Sequence, residues 1–337
     1  MCGTGTECFE WASDTPCPDQ ASALQHFPSP CTNQGCYIES VDSGATQSPS
    51  QCCYAVTESY CELGRPFVVA GRRRVAAIAA RAAARDWSDA RLTPDTAGLS
   101  AEAREALAAA WSADGLLEHA SVAAFSRFSL ELMALGAPRD LVRGAHEAAL
   151  DEVRHAELCF ALASAYAGAA VEPERLDVGV DLDLARDLAS LAVRAFDEGC
   201  VGETIAAIVA AEQLAHATDP AVRAALERIS ADEARHAELA WRTAAWAVEV
   251  GGHEVVGALE RALARALAAA PPRAADAPAD AGAMQAHGRL DAARARDAFA
   301  RGLADVVAPC ARALLARSPS CVAEGRREAS AAIVDAR

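Results

Sequence analysis

Leu150-Asp-Glu-Val-Arg-His-Ala-Glu-Leu158 and Ala231-Asp-Glu-Ala-Arg-His-Ala-Glu-Leu239 are one nine-residue phrase written twice. Both copies lie in long Ala- and Leu-rich stretches, and alanine is the strongest helix former. On a helix, a Glu and a His three residues apart share a face. Each copy therefore offers one carboxylate and one imidazole side by side: Glu152 with His155, and Glu233 with His236. A further glutamate precedes each copy, Glu118 by 34 residues and Glu203 by 30. A single Glu-x-x-His would carry little weight, because helices collect such pairs by chance. Duplication could also preserve a surface ion-pair pattern around Arg154 and Arg235. The apolar neighbours Val153, Ala156 and Leu158 argue against a wholly polar face.

The surrounding sequence predicts four long helices. Ser100 is a fitting N-cap for the first, which runs through Glu118 to about Leu135 and ends at Gly136-Ala-Pro138. The second covers about Arg139 to Tyr166. Residues 168–181 read as extended. The third covers about Leu182 to Ala217. Asp219-Pro220 opens the fourth, with Asp as cap and Pro at the first position, and Gly251-Gly252 stops it near Val250. Within each half the connection is short, so each half is an antiparallel helix pair. Between the halves about 14 residues remain, which could reach roughly 45 Å when extended and so cross the length of a 30-residue helix. The expected fold is all-α: a four-helix bundle with one long crossover, the ferritin-like arrangement, in which inward Glu and Glu-x-x-His residues hold two metal ions. Four carboxylates and two imidazoles suit iron or manganese better than structural zinc.

On Glu118, Glu152, His155, Glu203, Glu233 and His236, residues 105–250 resemble the ferritin-like di-iron carboxylate superfamily, which includes rubrerythrins, bacterioferritins and oxygen-activating oxidases. The resemblance implies two iron ions, with iron/manganese or manganese as variants. It implies that Glu152 and Glu233 bridge the ions while Glu118 and Glu203 are terminal. It also implies that Asp232 bonds the outer nitrogen of His155 and Asp151 that of His236. Four functions follow as expectations. The first is an oxidase or oxygenase acting with O2 or peroxide on an unknown substrate, with an unknown electron donor. The others are a ferroxidase or iron-handling protein, a peroxide scavenger, and a non-catalytic scaffold in the envelope or outside the cell. The closely spaced cysteine pairs of a rubredoxin-like site are missing, and position 206 is Ala where a rubrerythrin would place a further Glu, which lowers the peroxide-scavenging reading.

The chain has 337 residues, is 52% hydrophobic and carries a net charge of −16. That charge, with no clustered basic face, argues against nucleic acid as a partner. No run of about 18 uncharged apolar residues is present, so no transmembrane helix is expected. Eight of the 12 cysteines fall within the first 61 residues. Zinc sites use paired knuckles, which are missing, so a disulfide-stapled irregular module over 1–65 is the favoured reading and an oxidising compartment is implied. Zinc binding and a free or redox-active tail remain as alternatives. Cys2 is where a lipid anchor would sit if an export leader had been removed; periplasm, envelope or exterior is then expected, with the cytoplasm as the alternative. Residues 66–99 read as a hairpin with Arg72-Arg73-Arg74 in its turn, followed by a linker with short helical pieces. The bundle occupies 100–252. Residues 253–337 hold a shorter helix, a Pro/Ala linker over 271–282 and a last helix from about Ala283 to Leu315, with Cys310 and Cys321 close enough in sequence to pair. Cys159, Cys200, Trp111 and Tyr166 are read as core. His119 is read as surface or as a neighbour of the ligands, His146 as solvated, and His216, His253 and His287 carry no role.

Overall fold

The computed structural model describes residues 3–10, 16–23, 36–48, 51–60, 64–69, 71–79, 86–87, 92–268 and 280–316. The expected irregular N-terminal module is a three-stranded antiparallel sheet in the order β1-β3-β2, made of β1 (Gly3–Glu10), β2 (Cys36–Ser48) and β3 (Gln51–Tyr60), with the short helix α1 (Gln20–Ala23). Its few large apolar side chains concealed this; the sheet is held by cross-links and a small cluster instead. Cys52 and Cys53 are adjacent on β3, and successive strand residues face opposite ways. They accordingly take different partners: Cys53 bonds Cys8, directly opposite on β1, and Cys52 bonds Cys17. Cys52, Tyr54 and Ala23 pack with Phe9, Cys17 and Val41, and the Tyr54 hydroxyl donates to the Pro18 carbonyl at 2.6 Å. Cys2, Cys31, Cys61 and Cys321 lie outside the described residues. So does most of the linker over 271–282.

A second small hairpin follows, β4 (Val68–Val69) with β5 (Arg72–Arg73). The basic run is thus a strand and not its turn; Arg74 pairs with Asp177 at 3.0 Å. The described residues between 86 and 98 are not helical. The regular elements that follow are helical, beginning with α2 (Ala101–Ala134), α3 (Arg139–Ala167), α4 (Leu188–Arg194), a π-helical segment (Ala195–Glu203), α5 (Thr204–His216) and α6 (Pro220–Ala268). Ser100 caps α2 through the Ala103 amide at 3.1 Å, and Asp219 accepts from the amides of Ala221 and Val222 at the start of α6. The third helix begins six residues later than expected because Asp187 caps it, accepting from the Ser190 amide at 2.7 Å. The extended crossover is therefore longer than the sequence suggested. The predicted stop after Val250 is a break: Gly252 takes φ 58°, ψ −139°, and the helix then resumes to Ala268. The single C-terminal helix expected over 283–315 is instead α7 (Ala281–Ala286), α8 (Ala292–Arg301), a second π segment (Gly302–Val307) and α9 (Ala308–Ala316). Gly288, at φ +81°, breaks it between α7 and α8.

α2 packs along α3, α4 and α5 pack along α6, and α3 faces α6. Among the described residues no helix is long and apolar enough to cross a membrane. The segment that leads into β4 inserts between α2 and the π segment. There Arg65 stacks on Phe125 and Phe128, with its guanidinium carbon 4.4 and 4.5 Å from the ring centres. Ser121 of α2 donates to the Arg65 carbonyl at 2.8 Å. On the other side a Cβ at Gly202 would lie 2.5 Å from the Gly64 carbonyl oxygen, which is backbone and cannot swing away. Gly202→Ala is therefore expected to destabilise the fold by about 1–3 kcal/mol through overpacking. Gly257→Ala, whose Cβ would meet only the Arg261 side chain at 3.5 Å, should be neutral or stabilising by up to about 1 kcal/mol. Urea midpoints of the two variants give the comparison.

Candidate metal centre

The helical repeat brings the six sequence-predicted side chains into one buried cluster. Glu118 comes from α2, Glu152 and His155 from α3, Glu203 from the end of the π segment, and Glu233 and His236 from α6. They form two overlapping groups, Glu118–Glu152–His155–Glu233 and Glu152–Glu203–Glu233–His236, and within each group the ligand atoms all lie within 4.8 Å of one another. Glu152 and Glu233 belong to both groups, the positions that bridging ligands would take. The imidazoles stand 5.8 Å apart between ring centres.

His155 Nδ1 lies 3.4 Å from Glu233 Oε1 and His236 Nδ1 3.1 Å from Glu152 Oε1, yet neither contact has hydrogen-bond geometry. Glu152 Oε2, Glu203 Oε2, Glu233 Oε2, His155 Nδ1 and His236 Nδ1 are all buried and without a hydrogen-bond partner among the described residues. A buried polar group left unpaired costs about 1–3 kcal/mol, and here five such atoms converge. Cations would satisfy all of them, and four carboxylates balance two divalent charges. The outer imidazole nitrogens are occupied, as expected: His155 Nε2 lies 3.2 Å from Asp232 and His236 Nε2 3.4 Å from Asp151. The aspartates are pinned in turn. Arg228 lies 2.6 Å from Asp232 and 3.2 Å from Asp151, and Arg235 lies 2.6 and 2.8 Å from the same pair. Arg154, at the matching place in the first copy, pairs with Glu157 instead. Two arginines of α6, Arg228 just before the second copy and Arg235 within it, thus orient both imidazoles through the aspartates, an arrangement that fixes the ring so that Nδ1 faces inward.

Charge inside the cluster is redistributed by proximity. Burial and the neighbouring Glu152 raise the carboxyl of Glu118 well above its ordinary range, and burial and Glu233 do the same for Glu203. Burial also opposes ionisation of Glu152 and Glu233, but the close imidazoles of His155 and His236 outweigh it and hold both low. For each imidazole, burial disfavours the charged form. Contacts with Asp232 and three glutamates prevail at His155, those with Asp151, Glu152 and Glu233 prevail at His236, and both are raised well above the usual value.

Two arginines escaped the sequence reading. Arg65 is fully buried, with Nε 3.4 Å from Glu203 Oε1 and Nη1 3.5 Å from Glu198. Arg127 is buried as well, 2.8 Å from Glu198, and donates to the Val68 carbonyl. The π register makes this possible. On an α-helix residues 198 and 203 would point about 140° apart, whereas residues five apart stack in the π-helical pattern, so both reach Arg65. Of the remaining histidines, His119 packs edge-on against Trp87, and His146 bonds the Ser129 hydroxyl at 2.8 Å. His287, which was assigned no role, bonds the buried Tyr166 hydroxyl at 2.7 Å and ties α7 to α3. Cys159 and Cys200 are buried, as expected of small apolar groups. Cys310 is exposed.

A cavity of about 280 Å³ adjoins the cluster. Glu118, Glu152, Glu203 and Glu233 line one part of it, and Trp111, Cys159, Val209, Leu226, Ile229 and Phe299 line much of the rest. Glu118 is the least buried of the four carboxylates, with 18% side-chain exposure against 1% for Glu152.

Two outcomes check this geometry. Metal binding must displace protons from the raised imidazoles and from Glu118 and Glu203, so affinity should rise with pH and protons should be released on binding; calorimetry in buffers of different ionisation enthalpy reads the number. Asp232→Asn should weaken metal binding about 10- to 100-fold, and Asp151→Asn less, because Asp151 is the more exposed partner; competition with a chromophoric chelator measures both. Comparison of the whole chain with protein-family models, curated proteins and solved structures gives no match, so the meaning of the cluster is argued from its own side chains.

Proposed function

We propose that the chain is a ferritin-like di-metal carboxylate protein, and that its activity is oxidation of an organic substrate with O2 or peroxide. In this reading α2, α3, the α4–π–α5 helix and α6 are the four helices of the bundle, and residues 168–187 are its crossover. The observation that carries it is the convergence of five unpaired buried ligand atoms from both Glu-x-x-His copies and Glu203. The donor set, oxygen with some imidazole nitrogen, suits iron or manganese. When bound, such a pair supplies redox equivalents and Lewis acidity at one place.

The protein's own groups would do the rest. Glu118 and Glu203 would be terminal ligands and Glu152 and Glu233 bridging ones. His155 and His236 would each complete one ion's shell, held by Asp232 and Asp151. Arg65, by sharing Glu203 Oε1, would leave the other oxygen of that carboxylate free to ligate. The apolar side chains around the cavity would exclude bulk water from the reacting centre.

A ferroxidase, in which iron is itself the substrate, is the alternative. The acidic net charge of −16 would favour it. The cavity speaks for an organic substrate instead, since its walls beyond the glutamates are largely apolar. The two disulfides among the described residues support an oxidising compartment, and with it export from the cytoplasm.

Elemental analysis and oxygen uptake test the reading together. The purified chain, loaded with ferrous iron or Mn(II), should hold two ions. Glu152→Ala and Glu233→Ala should lose both, because each side chain serves both groups, whereas Glu118→Ala should retain at least one. Ferrous protein should then consume O2 in proportion to bound iron. Wild-type binding of no metal at all, or equal binding in wild type and Glu152→Ala, would sink it.

A further inference from the structure

We infer that the 280 Å³ cavity is a binding site for a mostly apolar, non-anionic molecule carrying one oxygen acceptor group. Three features of its lining select that class. Along its walls, Val209, Leu226, Ile229 and Phe299 offer apolar surface. Its rim holds the half-buried ion pair Asp114–Arg289 together with Gln213, so the charges there are mutually neutralised and what remains is hydrogen-bonding capacity. At its other part four carboxylates outnumber the one cation among the described residues, Arg65, which is already paired with Glu198 and Glu203, so anions are repelled. Within the wall, Trp111 is 1% exposed and its indole N–H has no acceptor among the described residues. A buried indole N–H ordinarily has a partner, and an oxygen on the bound molecule would supply it.

The C-terminal segments make this a site of this chain and not of the bundle alone. Arg289 and Leu290 follow α7, Phe299 lies on α8, and both stretches close the cavity over α2 and α5. Arg289 also lies over the Trp111 ring at 5.2 Å and so fixes that wall. The volume corresponds to about nine waters, which is the bulk of a chain of about nine non-hydrogen atoms, such as 1-octanol. The binding stands on the cavity itself; naming the bound molecule as the substrate rests on the di-metal reading.

The test uses the whole chain and the 1-alkanols from butanol to dodecanol, with octanoate and octylamine as charged probes. In metal-free protein, affinity measured by calorimetry should rise about threefold to fourfold per methylene up to about eight carbons and then stop rising. Octanoate should bind at least tenfold more weakly than octanol, whereas octylamine, drawn by the lining carboxylates, should bind no more weakly than octanol. Ala210→Leu, which fills the wall from α5, should move the cutoff down by about three carbons. Should that variant fail to fold, the cutoff in the wild-type chain still decides. Affinity that climbs without a cutoff, no saturable binding, or tighter binding of octanoate than of octanol would overturn the site. A second measurement separates it from the metal reading. With Co(II) bound, saturating octanol should shift the visible bands of the metal. Tight octanol binding without a shift would overturn the substrate assignment, and failure to bind Co(II) would overturn it through the di-metal reading while leaving the alkanol cutoff to stand or fall by itself.

Discussion

Four glutamates packed within a few ångströms of one another, in an interior of alanine and phenylalanine, set the terms for the rest of this fold. Charges so placed repel strongly in a medium that screens them poorly. The chain answers with every cation within reach. Two imidazoles enter from the same helices as Glu152 and Glu233, and Arg65 arrives from outside the four helices. Arg127 reaches the same network through Glu198. Even so, ligand atoms on five of the six side chains keep no hydrogen-bond partner among the described residues. A protein that needed only stability would replace such a cluster with apolar side chains, often at no loss. The side chains present could instead hold metal ions.

The irregular features of the structure serve that site. The π segment turns Glu198 and Glu203 to one side, and π-helical turns are frequent at functional sites. Gly199 and Gly202 leave room on the same segment for the Arg65 side chain and the Gly64 carbonyl. Removing the guanidinium would strand Glu203 in the core and leave Glu198 to Arg127. The N-terminal approach to the bundle is thus part of its electrostatics as well as its packing. At the opposite side the break at Gly288 lets Arg289 and Phe299 fold over Trp111 and the cavity.

Most of the site could be read in the sequence because it follows helical periodicity. Glu152 with His155, and Glu233 with His236, need only a helix to become neighbours, and Asp151 and Asp232 come with them. Glu118 and Glu203 were found by the repetition of the helix pair. Arg65 could not be found that way. It is 138 residues from Glu203, and only tertiary packing places it there. The π register was hidden because Gly199 and Gly202 signal a close approach within Ala195–Glu203 but do not name the segment that makes it. Asp187 was overlooked as a cap in an acidic stretch, so the third helix was begun too early. The N-terminal sheet was missed because Thr, Ser and Gly dilute its alternation, and the adjacent pair Cys52-Cys53 was the one signal that two faces exist.

The central claim is that the cluster between α3 and α6 binds two metal ions. Anomalous diffraction from crystals soaked in Fe(II) or Mn(II), collected on both sides of the metal's absorption edge, addresses it directly. Two peaks should appear, one bounded by Glu118 and His155 and the other by Glu203 and His236, with Glu152 and Glu233 between them. An edge-dependent map with no density there, in crystals that diffract well enough to show the six side chains, would contradict the account.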